Sequence, residues 1–211
     1  NSTFTIKETM SQAWSVVKSN IWVLAGLLIG FTIISFTIGV FSGTSITLGI
    51  VTTIISVILG AVFSLGYIRN IFQAIDGEEP QFSAYGQESR KILKYIIASL
   101  VYYVIVGIGS ILLIIPGIYL SIRLQFYIAF IVDEDCGAID ALKNSWELTK
   151  GQELPLFLLF LTMIVLQIIG ILLLLVGIFV TTPLCYTMYA IVYRSLNSLS
   201  RAKISYESEE V

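Results

Sequence analysis

Uncharged, largely apolar residues run through the chain in long blocks, separated by short charged segments. No charge interrupts the 50 residues between Lys18 and Arg69, the 28 between Lys94 and Arg123, the 9 between Arg123 and Asp133, or the 40 between Glu153 and Arg194. A helix needs roughly 20 apolar residues, at about 1.5 Å each, to cross a hydrocarbon core of about 30 Å. The first and last blocks are each two crossings long, and so is 95–132 if Arg123 is accepted inside a helix. Each block has turn residues near its middle: Ser42-Gly43-Thr44-Ser45, Pro116-Gly117, and Gly177 followed by Thr181-Thr182-Pro183. Glycine and proline punctuate helices, and proline suits the first turn of a new one. The pattern predicts three helical hairpins, with spans at about 20–41, 46–70, 91–114, 117–132, 154–176 and 183–199.

The segments before these spans follow a different pattern. Ile6, Met10, Ala13, Trp14 and Val17 fall on one helical stripe, and Thr5-x-x-Glu8 at its start has the form of a capping box. Ile139, Leu142 and Trp146 make a second stripe. A shift of 132 positions aligns Glu8 with Asp140, Met10 with Leu142, Trp14 with Trp146 and Lys18 with Lys150. Phe82, Tyr85, Ile92 and Leu93 form a weaker third copy, after the turn-like Asp76-Gly77-Glu78-Glu79-Pro80. Residues 5–18 and 138–150 are expected to lie in the membrane interface, with Trp14 and Trp146 at headgroup level. The fold expected is an all-α integral membrane protein: six transmembrane helices as three hairpins, each preceded by an interfacial amphipathic helix. That is a pseudo-threefold repeat of about 4–75, 80–133 and 137–200 within a single domain, 1–211.

Composition supports the membrane assignment. Charged residues make up 12% of the chain, half of the roughly 25% usual in soluble domains. That leaves too little polar surface for a soluble enzyme, and the net charge of −2 gives none of the basic field a nucleic-acid binder needs. The three hairpin turns carry no charge, while Lys and Arg gather at the termini and in the two inter-hairpin loops. Basic loops stay in the cytoplasm, so both termini are expected there. The chain has no histidine, which removes the commonest general base and metal ligand. Its two cysteines, Cys136 and Cys185, have no metal-ligand spacing and are expected at opposite membrane surfaces.

A few residues stand out as candidate sites. Arg123 lies ten residues before Asp133, so about 15 Å into the membrane at 1.5 Å per residue, where inserting it costs roughly 2.5–3.5 kcal/mol. Tyr119 and Tyr127 flank it at i−4 and i+4, and Tyr102 and Tyr103 reach a similar depth on the neighbouring span. No acid is expected at that depth. The group is either a binding point for an anion or lipid headgroup, or a lock between spans three and four. Arg90, Lys91 and Lys94, where span three enters the membrane, are candidate contacts for lipid phosphates, as well as ordinary positive-inside anchors. Asp133-Glu134-Asp135 and the acids of 76–79 lack a complete metal-loop pattern. Gly26-x-x-x-Gly30 and Gly39-x-x-x-Gly43 would allow close helix packing.

The stretch Ile115-Pro-Gly-Ile-Tyr-Leu-Ser-Ile-Arg123, with Val132-Asp-Glu-Asp135 and Gly137-Ala-Ile-Asp-Ala-Leu-Lys-Asn-Ser-Trp146-Glu-Leu-Thr-Lys-Gly151, resembles the glycerophosphodiester phosphodiesterase membrane-domain family and its YciC-like relatives. The resemblance implies a six-span protein in the plasma membrane of a bacterium or archaeon. Some members carry a fused phosphodiesterase domain, whose chemistry rests on histidines and metal-binding carboxylates that this chain lacks. The resemblance therefore implies no phosphodiesterase activity. The function expected is a non-catalytic module, without cofactor, that binds membrane lipids or a partner membrane protein at the cytoplasmic side. The alternative is a small transporter or lipid flippase-like protein, although no Asp or Glu lies within a span to couple protons.

Overall fold

The computed structural model describes residues 4–42, 45–173 and 176–209; Gly43 and Thr44, at the first turn, lie outside these. The described chain is all-helical, with no strand among its described residues. The first helix, α1 (Ile6–Ser42), opens on the expected capping box: Thr5 Oγ1 donates to Glu8 Oε2 at 2.7 Å and the Glu8 N–H to Thr5 Oγ1 at 3.4 Å. The amphipathic segment and its span form one helix, bent at Asn20 (φ −119°, ψ 16°). There the Asn20 amide donates to the Val16 carbonyl at 3.0 Å, and back-bonding of this kind bends helices. The junction is a kink, not a loop.

Ser45 Oγ accepts from the Leu48 N–H and starts α2 (Ile46–Ile75). The short α3 (Ser83–Glu88) and a tight turn at Ser89–Lys91 lead into α4 (Ile92–Leu112). One extended residue, Leu113, reverses the chain into α5 (Ile114–Leu124). A break at Gln125 and Phe126 separates α5 from α6 (Tyr127–Glu134). After the left-handed Asp135 (φ 54°) comes α7 (Ala138–Leu148), then α8 (Glu153–Leu172) and α9 (Ile178–Glu209).

Two boundaries differ from the sequence expectation, for the same reason. Pro116 sits inside the first turn of α5 and Pro183 inside α9, so neither marks the reversal. Glycines set the turns instead. A Cβ on Gly117 would lie 2.8 Å from the Ser110 Cα, and one on Gly177 would lie 2.8 Å from the Gly170 carbonyl oxygen. Backbones this close begin to pack at once, so each second helix starts earlier than its proline suggests.

Five helical stretches are long and apolar enough to cross a membrane: Ile6–Ser42, Ile46–Ile75, Ser83–Ile111, Ile114–Glu134 and Glu153–Leu172. The protein is thus a multi-pass α-helical membrane protein. The sixth expected span falls on α9, whose uncharged part, 178–193, ends at Arg194.

Burial divides the molecule into two halves. Ile33, Ile34, Ile54, Ile111 and Ile168 are exposed, as lipid-facing residues are. In the other half α2, α6 and α9 converge on Tyr193, whose ring meets Phe72 at 5.8 Å, Phe126 at 5.9 Å and Phe130 at 5.1 Å. Ion pairs close that end: Arg194 with Asp76 and, at 3.7 Å, Asp133, and Arg201 with Glu134 at 2.8 Å. Of the two acidic clusters, Asp76, Asp133 and Glu134 hold α9, while Asp135 pairs with Lys94. Both cysteines are free thiols.

Candidate functional site

Arg123 ends up at a joint. Where α5 breaks from α6, the Arg123 carbonyl and the Phe126 N–H lose their helical partners, and α7 replaces them. Ser145 Oγ donates to the Arg123 carbonyl at 3.0 Å and accepts from the Phe126 N–H at 3.0 Å, while Thr149 Oγ1 donates to the same carbonyl at 3.1 Å. Tyr189 of α9 takes the Gln125 carbonyl at 3.0 Å. Arg123 is 2% exposed. Its Nη1 donates to Glu153 Oε1 at 2.5 Å and its Nη2 to the Trp146 carbonyl at 2.7 Å. The Trp146 ring lies 4.3 Å beneath it, and the Tyr119 ring 5.9 Å away. Only Nε, buried, lacks a partner.

This corrects the expected surroundings. An acid does reach Arg123, because α7 folds back along α6 and brings the start of α8, with Glu153, to the level of the break. Of the four tyrosines, only Tyr119 faces the guanidinium. Tyr127 bonds Ser99 at 2.9 Å and stacks with Tyr95 and Tyr102, and Tyr102 packs on Tyr103, all away from Arg123. Arg123 therefore ties α5, α7 and α8 together, and its charge is satisfied within the chain. Glu153, Ser145 and Thr149 escaped the sequence reading. The one available signal was that Glu153 bounds an uncharged block.

The basic residues at the entry of α4 divide as well. Lys91, buried, donates to the Val132 carbonyl at 2.9 Å and pairs with Glu88 at 2.9 Å. Lys94 binds both the carbonyl and the carboxylate of Asp135, holding that carboxyl below its ordinary pKa. Both cap the end of α6, while Arg90 stays exposed. The two tryptophans are not alike: Trp146 is packed under Arg123, whereas Trp14 is exposed at the edge of α1.

A second feature was not expected. Gly26 and Gly30, read from the sequence as packing residues, have nothing within 4 Å of where a Cβ would stand. They floor a groove of 470 Å³ between α1 and α2. Val23 and Phe31 wall it from α1, Val62 and Phe63 from α2, and Phe82 and Tyr85 close one end. The rings of Phe31 and Phe63 stack at 4.0 Å, and Tyr85 rests on Gly66, where a Cβ would meet its ring at 2.4 Å. The lining is apolar throughout. The Tyr85 hydroxyl and the Asn70 carbonyl oxygen, both buried where α3 meets α2, lack hydrogen-bond partners. Below the groove, a pocket of 380 Å³ lies between Ser15, Ser19 and Asn20 of α1 and Gly77, Glu78 and Glu79 after α2. No group of three or more metal-ligating side chains occurs among the described residues.

A helical membrane protein with a buried ionic joint and an apolar groove between its first two helices is the class these features define. Within that class, the chain belongs to the family described as Domain of unknown function (DUF7847), which matches residues 44–205. No curated protein and no solved structure matches it.

Proposed function

We propose that this protein is a non-catalytic membrane module that holds a lipid at the cytoplasmic side of a plasma membrane. The groove between α1 and α2 carries this reading. Its walls are apolar, it opens among helices whose outer faces are themselves apolar and exposed, and its floor is kept clear by two glycines. Glycine inside a helix costs about 0.5–1 kcal/mol relative to alanine, and here that cost secures open space. Arg123 is not used as the binding point in this reading, since its Nη1 and Nη2 are taken by Glu153 and the Trp146 carbonyl.

In this reading α9 is the sixth crossing and the termini are cytoplasmic. Support for the repeat comes from how the amphipathic segments pack: α3 on α2 and α7 on α6, each against the preceding hairpin, while α1 runs along α9. The segment on which the resemblance to the glycerophosphodiester phosphodiesterase membrane-domain family rests, 115–151, supplies Arg123, Ser145, Trp146 and Thr149 of the joint, and Glu153 follows it.

The test is purification in mild detergent followed by extraction and quantification of bound lipid. The reading expects about one lipid per chain to survive, and a lipid-free, folded protein contradicts it.

A further inference from the structure

The apolar groove and the polar pocket follow one another along a single face of α1. Val16, Ser19 and Asn20 line the pocket; Val23, Leu27, Gly30 and Ile34 line the groove. These positions recur at spacings of three and four, the spacing of one helical stripe. The facing partner changes along it in the same order. Val62 and Phe63 give way to the end of α2 and then to Gly77, Glu78 and Glu79. From Val23 to Ile34 the groove is about 16 Å long at 1.5 Å per residue, a length that fits a lipid tail. The pocket beyond it along α1 offers hydroxyls, a side-chain amide and the exposed carboxylates of Glu78 and Glu79, whose side chains make no ion pair or hydrogen bond among the described residues.

We infer that α1 and α2 form one site for an ammonium-bearing phospholipid, with an acyl chain in the groove and the headgroup ammonium between Ser19, Asn20 and the carboxylates of Glu78 and Glu79. This deepens the lipid-binding reading and rests on it. The charge pattern selects the headgroup. Two carboxylates at the end of an apolar channel repel a purely anionic headgroup and attract a cationic group that can also donate hydrogen bonds. A quaternary ammonium keeps the charge but offers no N–H, so a primary ammonium fits better.

The experiment is native mass spectrometry of the full chain with equal amounts of phosphatidylethanolamine and phosphatidylglycerol in the micelle. Phosphatidylethanolamine is expected to be retained about tenfold more, the size of one charge-assisted contact. In the Glu78→Gln, Glu79→Gln double variant that ratio falls towards one. Gly30→Leu, whose side chain enters open space, is expected to lose both lipids while remaining folded. Equal retention of the two lipids by the native chain overturns the headgroup assignment and leaves lipid binding standing. Unchanged retention in Gly30→Leu overturns the groove as the site. If the native chain retains neither lipid, lipid binding itself falls.

Discussion

The first and second hairpins use the same residue type to opposite ends. In the second, Gly109 and Gly117 bring α4 and α5 into backbone contact, and the helices below are locked through Arg123 onto α7 and α8. In the first, Gly26 and Gly30 touch nothing, and the two helices part around a groove. The second hairpin is a closed joint in which Arg123 is paired through both Nη1 and Nη2, with its buried Nε left over. The first leaves a buried hydroxyl and a buried carbonyl oxygen unpaired at its base. A stripe of small residues in a membrane helix thus records close approach of the backbone to something, and only the neighbouring helix tells whether that is protein or lipid.

The largest effect is expected at the joint. Arg123→Leu takes the ion-pair partner from Glu153 and a donor from the Trp146 carbonyl, leaving them the Gly151 N–H and the Thr149 hydroxyl. It should destabilise the protein by about 3 kcal/mol, the lower end for a broken buried pair because Glu153 is 38% exposed. Thermal melting in detergent measures this. Arg123→Lys, which keeps charge but not the planar fork, is expected to fall between the two.

Next comes Gly117→Ala. With the Ser110 Cα 2.8 Å from the new Cβ, backbone must move, and overpacking of this kind costs about 1–3 kcal/mol. The same substitution in the first hairpin should have the opposite sign. Gly30→Ala meets nothing and should stabilise α1 by about 0.5–1 kcal/mol. Equal melting shifts in the two variants would erase the distinction between the hairpins.

The sequence showed where helices pair more readily than how they meet. Uncharged blocks located the hairpins, and Thr5 with Glu8 announced the start of α1, because both signals are local. Glu153 lies 30 residues from Arg123 and reaches it only through the fold-back of α7, which no helical period encodes. Pro116 and Pro183 misplaced two helix starts, since glycine contacts across each hairpin outweighed the proline preference. The groove was illegible for a similar reason: Gly26 and Gly30 look the same in sequence as glycines that pack.

The smallest effect concerns pH. The Asp135 carboxyl is held below its ordinary value chiefly by its hydrogen bond to Lys94. Its contribution to stability is therefore present above the ordinary carboxylate range and lost as pH falls through the lowered value. The melting temperature should drop slightly as pH is lowered from neutral to below 4, and Asp135→Asn should flatten that part of the profile. A profile unchanged in Asp135→Asn would show that the Lys94 contact adds nothing.

The claim that the first hairpin is open to lipid can be measured by photocrosslinking. A phospholipid with a diazirine in mid-chain is reconstituted with the protein, irradiated, and its adducts mapped by peptide mass spectrometry. Adducts should concentrate on 23–34 and 59–63, the walls of the groove. Adducts spread evenly over the exposed outer faces of α2 and α8, with no enrichment between α1 and α2, would contradict the account.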